Sequence, residues 1–373
     1  VSRDRNSRWA GSRRSFAALL VLVALIAGAC STELRQNTLD PAGPEAQKID
    51  DLWWLVFWIA VAVFVLVEGA LVYALFRFRR RKGEERGVKQ VHGNTRLEVI
   101  WTIIPAVILA VIAVPTVRTI FDLRSEPGPE ENALVVNVIG HQWWWEFEYP
   151  EYGIETANEM HIPVGRTVYL NLTSADVIHS FWVPQLNGKR DAVPGSVNNL
   201  TLIADEPGEY LGQCAEFCGL AHADMRHRVY AQPEADFEAW VAEQQQDAVI
   251  PAEGPVADGW ATFSVVCTAC HTVDGTDAVV SRPMVVTDGG DTYEFEVSLA
   301  PNLTHFGSRN TFGGASFDNT EDHLREWLRN PADLKPMRPD RNRIDEGRIL
   351  GMPNFELEDA EIDDLIALLE YLQ

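Results

Sequence analysis

The sequence predicts a multidomain chain: a two-helix transmembrane hairpin, an all-β sandwich or barrel, and a mainly α-helical carboxy-terminal domain. Three observations predict it. The long apolar blocks lie before residue 120. Residues 133–232 are rich in Val, Ile, Tyr, Trp and Thr and are broken at short intervals by turn signals, and residues 257–373 carry helical periodicity. At roughly 150 residues per domain the 373 residues allow two or three domains. Lys and Arg number 31 against 54 Asp and Glu, a net charge of −23. That sign is wrong for binding phosphates and sets nucleic acid aside as a partner. The segregation of apolar sequence excludes both a polytopic transporter and a plain soluble enzyme, leaving a short anchor that carries a large water-exposed part.

Residues 1–29 read as a signal peptide. Arg3, Arg5, Arg8, Arg13 and Arg14 precede an apolar stretch from Phe16 to Ile26, and Ala27-Gly28-Ala29 precedes Cys30. Small residues directly before a cysteine resemble a bacterial lipoprotein signal and make Cys30 the lipidation candidate; ordinary secretory cleavage is the alternative, because Ala27 stands where leucine is usual. Residues 30–121 form the anchor, with spans at 52–76 and 99–117. The first is 25 residues, about 37 Å as a helix, and the second is long enough with Pro105 and Pro115 inside it. Between them lie Arg77, Arg79, Arg80, Arg81, Lys82, Arg86, Lys89 and Arg96 against Glu84 and Glu85, which places this loop in the cytoplasm. Both flanks then face outward. Glu68 inside the first span would cost about 2.5 kcal/mol or more against lipid, so it is expected to face protein.

Residues 122–245 form the β domain, closed by a helix around Ala235 to Gln245, and 246–256, with two prolines and a glycine, are the linker. Residues 257–373 end in a helix over Glu358 to Leu372 with Ile362, Leu365, Ile366, Leu369 and Leu372 on one face. Val279 to Val297, turning at Asp288-Gly289-Gly290, reads as an inserted hairpin.

The first chemical constellation is Cys214-Ala-Glu-Phe-Cys218-Gly-Leu-Ala-His222-Ala-Asp-Met225, with His179 in His-Ser-Phe-Trp-Val-Pro 35 residues earlier. Two thiolates, two imidazoles and a thioether are soft ligands suited to copper. A mononuclear blue-copper site needs one cysteine; two suggest thiolates bridging a pair of copper ions. A Cys214–Cys218 disulfide and a zinc site are the alternatives, and His179, His222 and Met225 count against both.

The second constellation is Cys267-Thr-Ala-Cys270-His271, the pattern for covalent attachment of c-type haem. A redox-active or zinc-binding Cys-x-x-Cys is the alternative, and an exported helical domain of this size favours haem. Ala300-Pro-Asn-Leu-Thr-His305 and Gly351-Met-Pro-Asn-Phe355 resemble the later segments of class I cytochromes c, which makes Met352 the distal ligand. Met337 is the rival and Met284 a distant third. Met337 is disfavoured because it lies in the charged stretch Lys335 to Arg343, expected to prefer water. With Cys30 assigned to lipid, Cys214 and Cys218 to copper, and Cys267 and Cys270 to haem, none of the five cysteines remains for a structural disulfide.

Over roughly residues 50–245 the chain resembles subunit 2 of the haem–copper cytochrome c oxidases. The shared features are Leu97-Glu-Val-Ile-Trp-Thr-Ile-Ile-Pro105, Gly140-His-Gln-Trp-Trp-Trp145, His179-Ser-Phe-Trp-Val-Pro184, Asp191-Ala-Val-Pro-Gly195 and the cysteine loop. The resemblance implies a cupredoxin-like sandwich holding the binuclear copper centre CuA. Its ligands would be His179, Cys214, Cys218, His222, Met225 and the main-chain carbonyl of Glu216. It further implies a magnesium shared with subunit 1 through the Glu216 side chain, electron entry at Trp143, an acidic docking position at Asp191 and a proton-uptake pathway at Glu98. Ser196 departs from the basic residue usual after Pro-Gly. His92, His141, His161, His227 and His323 are expected to be solvated or structural.

The expected function is the subunit at which electrons enter a proton-pumping terminal oxidase. They would pass from cytochrome c or a quinol–cytochrome c reductase through covalent haem c to CuA, and on to the haem of subunit 1, where oxygen is reduced. The partners are oxidase subunits 1 and 3 and the lipid bilayer, in a bacterial cell membrane with both redox domains outside. A copper-delivery protein would lack Met225 at this spacing and the haem motif. A nitrous oxide reductase would need a separate histidine-rich domain.

Overall fold

The computed structural model describes residues 36–79, 90, 92–128, 132–340 and 349–373. Cys30, the expected signal segment and most of the basic loop lie outside them. The two spans are helices α1 (Pro44–Phe78) and α2 (Thr95–Asp122), both long and apolar enough to cross a membrane. Each runs past the limits expected from hydropathy. Helix α1 begins eight residues early because its first turns belong to the water-exposed part: Glu45, Ala46 and Asp50 are buried. Gly43 and the residue before it tie this end to the sandwich. Ala42 donates its N–H to Gln185 O and accepts from the Asp205 N–H, and a Cβ at Gly43 would lie 2.0 Å from Ile203 O. The membrane anchor thus enters the sandwich as a rigid stem. Glu68 lines a shallow groove with Val63, Phe64, Val67 and, from α2, Ile112, so one side of it is covered by the second span and the other is open.

Ten strands follow: β1 (Leu134–His141), β2 (Trp144–Tyr149), β3 (Ile154–Ala157), β4 (Glu159–Pro163), β5 (Val168–Ser174), β6 (His179–Trp182), β7 (Arg190–Ala192), β8 (Asn198–Leu202), β9 (Gly208–Cys214) and β10 (Arg226–Gln232). They form two five-stranded sheets, β3-β2-β1-β5-β8 and β4-β10-β9-β6-β7, which settles sandwich over barrel. Alternation along the strands sends Val136, Val138, Trp145, Phe147, Leu170, Leu172, Phe181 and Val229 into one core, each contributing about 1.5–3 kcal/mol on burial. Helix α3 (Glu234–Gln244) closes the core with Phe237 and Val241.

The carboxy-terminal domain comprises α4 (Pro255–Val266), the hairpin β11 (Ser281–Asp288) and β12 (Asp291–Ser298), the short pair β13 (Thr311–Phe312) and β14 (Phe317–Asp318), and α5 (Glu321–Arg329), α6 (Pro331–Leu334) and α7 (Asp359–Tyr371). Helix α7 starts in a capping box between Glu358 and Glu361 and buries Ile362, Leu365, Ile366, Leu368 and Leu369. It crosses α4 at Gly259, where a Cβ would come within 2.1 Å of Asp364 O; glycine is what lets the two backbones touch.

The inserted hairpin has a use that the sequence concealed. Val286, Phe295 and Val297 pack on Ile139 and Val197 of the sandwich, and the Asp288 carboxylate at its tip accepts from Ser196 Oγ and the Val197 N–H. Ser196, the departure in the Pro-Gly turn, is therefore a partner of the hairpin. Along the same seam Glu148 accepts from Asn137 Nδ2 and from the Glu296 N–H, and Glu146 accepts from the Ser298 N–H. The hairpin straps the two domains together.

Burial pushes the Glu148 carboxyl up from 4.5 to about 7. A raised pKa means the folded form binds the proton more tightly, so this contribution is full below 4.5 and is lost as pH rises through about 7. Glu148→Gln cannot titrate. Its thermal midpoint relative to the parent chain is expected to rise between about pH 5 and about pH 8, read by calorimetry on the solubilised chain; a constant difference would contradict the assignment.

Candidate functional site

Strand β6 begins at His179 and β9 ends at Cys214, and the two strands pair with Phe181 opposite Cys214. An imidazole and a thiol therefore emerge at the same end of one sheet. The loop that follows is pinned back on itself. The Ala215 N–H donates to Ser180 O, the Cys214 N–H to Met225 O, and a single tight turn at His222–Asp224 returns the chain. Gly219 sits at φ +118, where a side chain would press on Gln142 and Trp143.

This folding brings the sulfur and nitrogen donors to one point. Cys214 Sγ lies 3.9 Å from Cys218 Sγ, 3.9 Å from His179 Nδ1 and 3.2 Å from the Glu216 carbonyl oxygen. Cys218 Sγ lies 3.6 Å from His222 Nδ1 and 3.8 Å from Met225 Sδ. The cysteines are free, so the disulfide alternative is not the form present. Among the described residues, His179, Cys214 and Cys218 have ligand atoms within 4.8 Å of one another. All six expected donors are thus assembled, and they are soft ones, the chemistry that copper favours over hard cations. The contact with Cys218 draws the Cys214 thiol well below its ordinary value against its burial, with His179 assisting, while Cys218 holds its proton more tightly; the pair gives up its first proton from Cys214.

One supporting residue had not been singled out. Asp176 Oδ1 lies 2.8 Å from His179 Nε2, which turns Nδ1 toward the sulfurs. Burial lowers the His179 pKa, but the Asp176 carboxylate outweighs it and the pKa is raised. A carboxylate behind a histidine is the usual way a metal ligand is oriented, and its place three residues before His179 was the available signal. Gly140 completes the seat, since a Cβ there would lie 2.7 Å from His179 Cδ2.

The second site lies at the end of α4. The Cys270 and His271 N–H groups both donate to Cys267 O, a turn that sends both thiols and the imidazole into one cleft. The cleft is about 1260 Å³ counted to its open mouth, lined by Phe263, Leu303, Phe312, Trp327, Leu328 and Leu365 besides the motif. His271 Nδ1 donates to Pro301 O at 2.8 Å, leaving Nε2 as a neutral acceptor; burial lowers its pKa accordingly. Arg309 also lines this cleft, and its buried Nε has no hydrogen-bond partner. Its Nη2 donates to Asn302 O, so one guanidinium N–H is left open at the edge of an apolar slot, which fits a haem, flat and apolar with anionic propionates.

Met352 and Met337 both line the cleft, with Met337 against Gly351. Met352 packs with the haem-domain core and receives the Trp327 indole N–H at 3.2 Å, whereas Met337 packs with the sandwich cluster. The expectation that the Lys335 stretch prefers water is wrong for Lys335 itself, which is 3% exposed. Its ammonium is matched by main-chain carbonyls, which a sequence pattern does not display.

Trp143 stands between the two sites. Its indole N–H donates to Cys218 O at 3.1 Å, alongside Gln142 Nε2, and the residue also lines the haem cleft. It is 5% exposed, so the carboxy-terminal domain covers the tryptophan that the resemblance makes the point of electron entry. Trp145, also buried, belongs to the sandwich core. Asp191 is exposed and Glu216 presents its side chain to solvent. Glu98 lies in the first turn of α2, accepting the Asn94 N–H at 3.3 Å, so it serves the helix start whatever else it does.

A sandwich with a soft metal seat at its rim, a tethered c-type haem pocket against it and two spans beneath define a membrane-anchored electron carrier. Sequence comparisons name the family. Residues 31–119 match the cytochrome c oxidase subunit II transmembrane domain, 153–231 its periplasmic domain and 256–373 cytochrome c. Cytochrome c oxidase subunit 2 of Alkalihalophilus pseudofirmus is 35% identical over 358 residues, 95% of both chains. That of Bacillus sp. strain PS3 is 39% identical over 331 residues, 85% of this chain and 88% of that one. The periplasmic domain of subunit II of cytochrome oxidase of Bradyrhizobium japonicum is 32% identical, covering 30% of this chain and 93% of that one at a TM-score of 0.30. The chain belongs to the cytochrome c oxidase subunit 2 family. It is a two-span subunit of a haem–copper oxidase, an oxidoreductase complex, with a periplasmic domain and a fused cytochrome c domain; copper and haem c are the cofactors these domains imply.

Proposed function

We propose that this chain is the subunit at which electrons enter a proton-pumping oxidase, passing from an external donor by way of haem c to binuclear CuA and then to the haem of subunit 1. The observation that carries the reading is Trp143, bonded to the carbonyl of one copper-loop cysteine and lining the haem cleft. His179, Cys214, Cys218, His222, Met225 and the Glu216 carbonyl would hold the copper pair, and the exposed Glu216 carboxylate would be a ligand for a magnesium shared with subunit 1. Cys267, Cys270, His271 and Met352 would hold the haem, the two thiols covalently, the imidazole through Nε2 and the thioether through Sδ. When bound, the two groups supply one-electron carriers. The chain's own part is to hold their ligands, exclude water and keep Trp143 between them.

The complex lies in a bacterial cell membrane with subunits 1 and 3, both redox domains outside, and takes electrons from cytochrome c or a quinol–cytochrome c reductase. Residues 251–373 carry 23 acidic and 9 basic side chains, a field that attracts a basic donor and is screened by salt. Glu98, at the cytoplasmic start of α2, marks the mouth of a proton pathway into subunit 1. Isolation of the detergent-solubilised complex tests the reading. This chain is expected to co-purify with a haem–copper subunit in a preparation that consumes oxygen, and its recovery free of any such subunit would overturn it.

The distal ligand has its own test. Met352→Ala is expected to abolish the weak long-wavelength band of methionine-ligated ferric haem and to lower the potential, because a thioether favours reduced iron. Met337→Ala should leave both unchanged. The reverse pattern would move the assignment to Met337.

A further inference from the structure

The cytochrome domain touches the copper loop at one charged point. Lys335 Nζ donates three hydrogen bonds, each 2.8 Å long, to Trp143 O, Asp224 O and Gly313 O. The three acceptors come from three separate segments. Trp143 is the residue between the sites, Asp224 lies between the copper donors His222 and Met225, and Gly313 belongs to the turn joining β13 to β14. An ammonium has three donor hydrogens and no acceptor, so the set is complete.

The surrounding contacts are built to the same join. The Arg226 N–H donates to Gly314 O at 2.9 Å, and Ser316 Oγ donates to Asp224 O at 3.0 Å. Gly314 has φ +77, and a Cβ there would fall 2.5 Å from Lys335 Nζ and 2.6 Å from Asp224 O. Only glycine lets the turn come this close. The hairpin strap lies on a different part of the sandwich, at Ile139 and Val197, and Glu159 holds the start of β13 through Asn310 and Thr311, so the Lys335 bonds act on the turn itself, where it meets the copper loop.

We infer that Lys335 is a positioning residue: its ammonium registers the haem domain on the copper loop and thereby fixes Trp143 between the two redox sites. This rests on the proposed haem-to-copper route. Burying an ammonium is costly unless it is fully hydrogen-bonded. Its use here, where apolar packing would also join two domains, gives a direction-specific clasp rather than a sliding surface. Losing it strands the Trp143 and Gly313 carbonyls at the seam and leaves Asp224 O with Ser316 Oγ alone.

The test uses the full chain in the purified oxidase, with Lys335→Met, which keeps the length and removes the donors, and Gly314→Ala, which pushes the clasp open from the other side. In both, amide exchange at Arg226 and residues 313–316 is expected to quicken by about tenfold or more, while the interiors of β1, β5, α4 and α7 keep their protection. Electron transfer from haem c to CuA is expected to slow by about tenfold, with the spectra of both centres and the reduction of haem c by an added donor unchanged. Lys335→Arg, which keeps donors and charge, should recover part of both effects.

Unchanged exchange at the seam would overturn the clasp, and so would loosened exchange with an unchanged transfer rate. General loss of protection throughout the chain would equally overturn it, by showing a merely structural lysine. A parent complex in which haem c never reduces CuA would instead defeat the route, and exchange at the seam would still decide whether Lys335 registers the domains.

Discussion

Replacing Cys218 by Ser removes the donor at the centre of the loop, and oxidase turnover is expected to fall by about a hundredfold or more. Cys218 Sγ is within 4 Å of Cys214 Sγ, His222 Nδ1 and Met225 Sδ, so its loss separates donors that no other side chain connects. A serine oxygen is a harder, less polarisable and more weakly acidic ligand than a thiol, so it is a poor substitute in a soft copper site. The mixed-valence hyperfine pattern of paired copper should vanish from the electron paramagnetic resonance spectrum. The haem spectrum and its reduction by an added donor should survive, because the cleft and the copper loop share no ligand. A variant that keeps the paired-copper pattern would contradict the binuclear assignment.

The second large effect is expected when Cys267 and Cys270 are both replaced by Ala. Covalent haem should be absent, read as loss of haem staining on the denatured chain. The consequence extends to folding. The cleft occupies the middle of the domain's apolar cluster, with Phe263, Leu303, Phe312 and Leu365 at its edge and in the core at once. A bound group filling that space contributes its binding free energy to stability. Residues 257–373 are therefore expected to lose cooperative unfolding and become sensitive to protease, while the sandwich, which has its own core, keeps its melting transition. A double variant whose cytochrome domain unfolds as cooperatively as the parent would show that the haem is no part of that core.

Much of this was legible because the chemistry sits in short segments. Cys214 to Met225 and Cys267 to His271 carry their ligand spacing within a dozen residues, and the spans announce themselves by length and hydropathy. Asp176, Pro301 and Arg309 act behind or beside the ligands, and only the folded chain shows which atom each one meets. Lys335 departs from its sequence pattern. A lysine beside Arg338, Arg341 and Arg343 looks solvated, and what buries it is a ring of main-chain carbonyls from residues 143, 224 and 313. The hairpin at 281–298 was recognised as a hairpin, but its apolar face packs against Ile139 and Val197, roughly a hundred residues away or more, where no local pattern could point. The same distance hid the position of Trp143, which reads as an outward tryptophan until the carboxy-terminal domain is set against it.

The proposed route makes haem c and CuA of this chain consecutive stations. The most direct measurement is photoreduction of haem c in the purified oxidase, with the α-band of haem c and the near-infrared band of CuA followed together. The route predicts that haem c is reoxidised and CuA reduced with the same rate constant, before electrons reach the haem of subunit 1. Reoxidation of haem c with no matching CuA reduction, or CuA filling directly from the donor while haem c stays reduced, would contradict it.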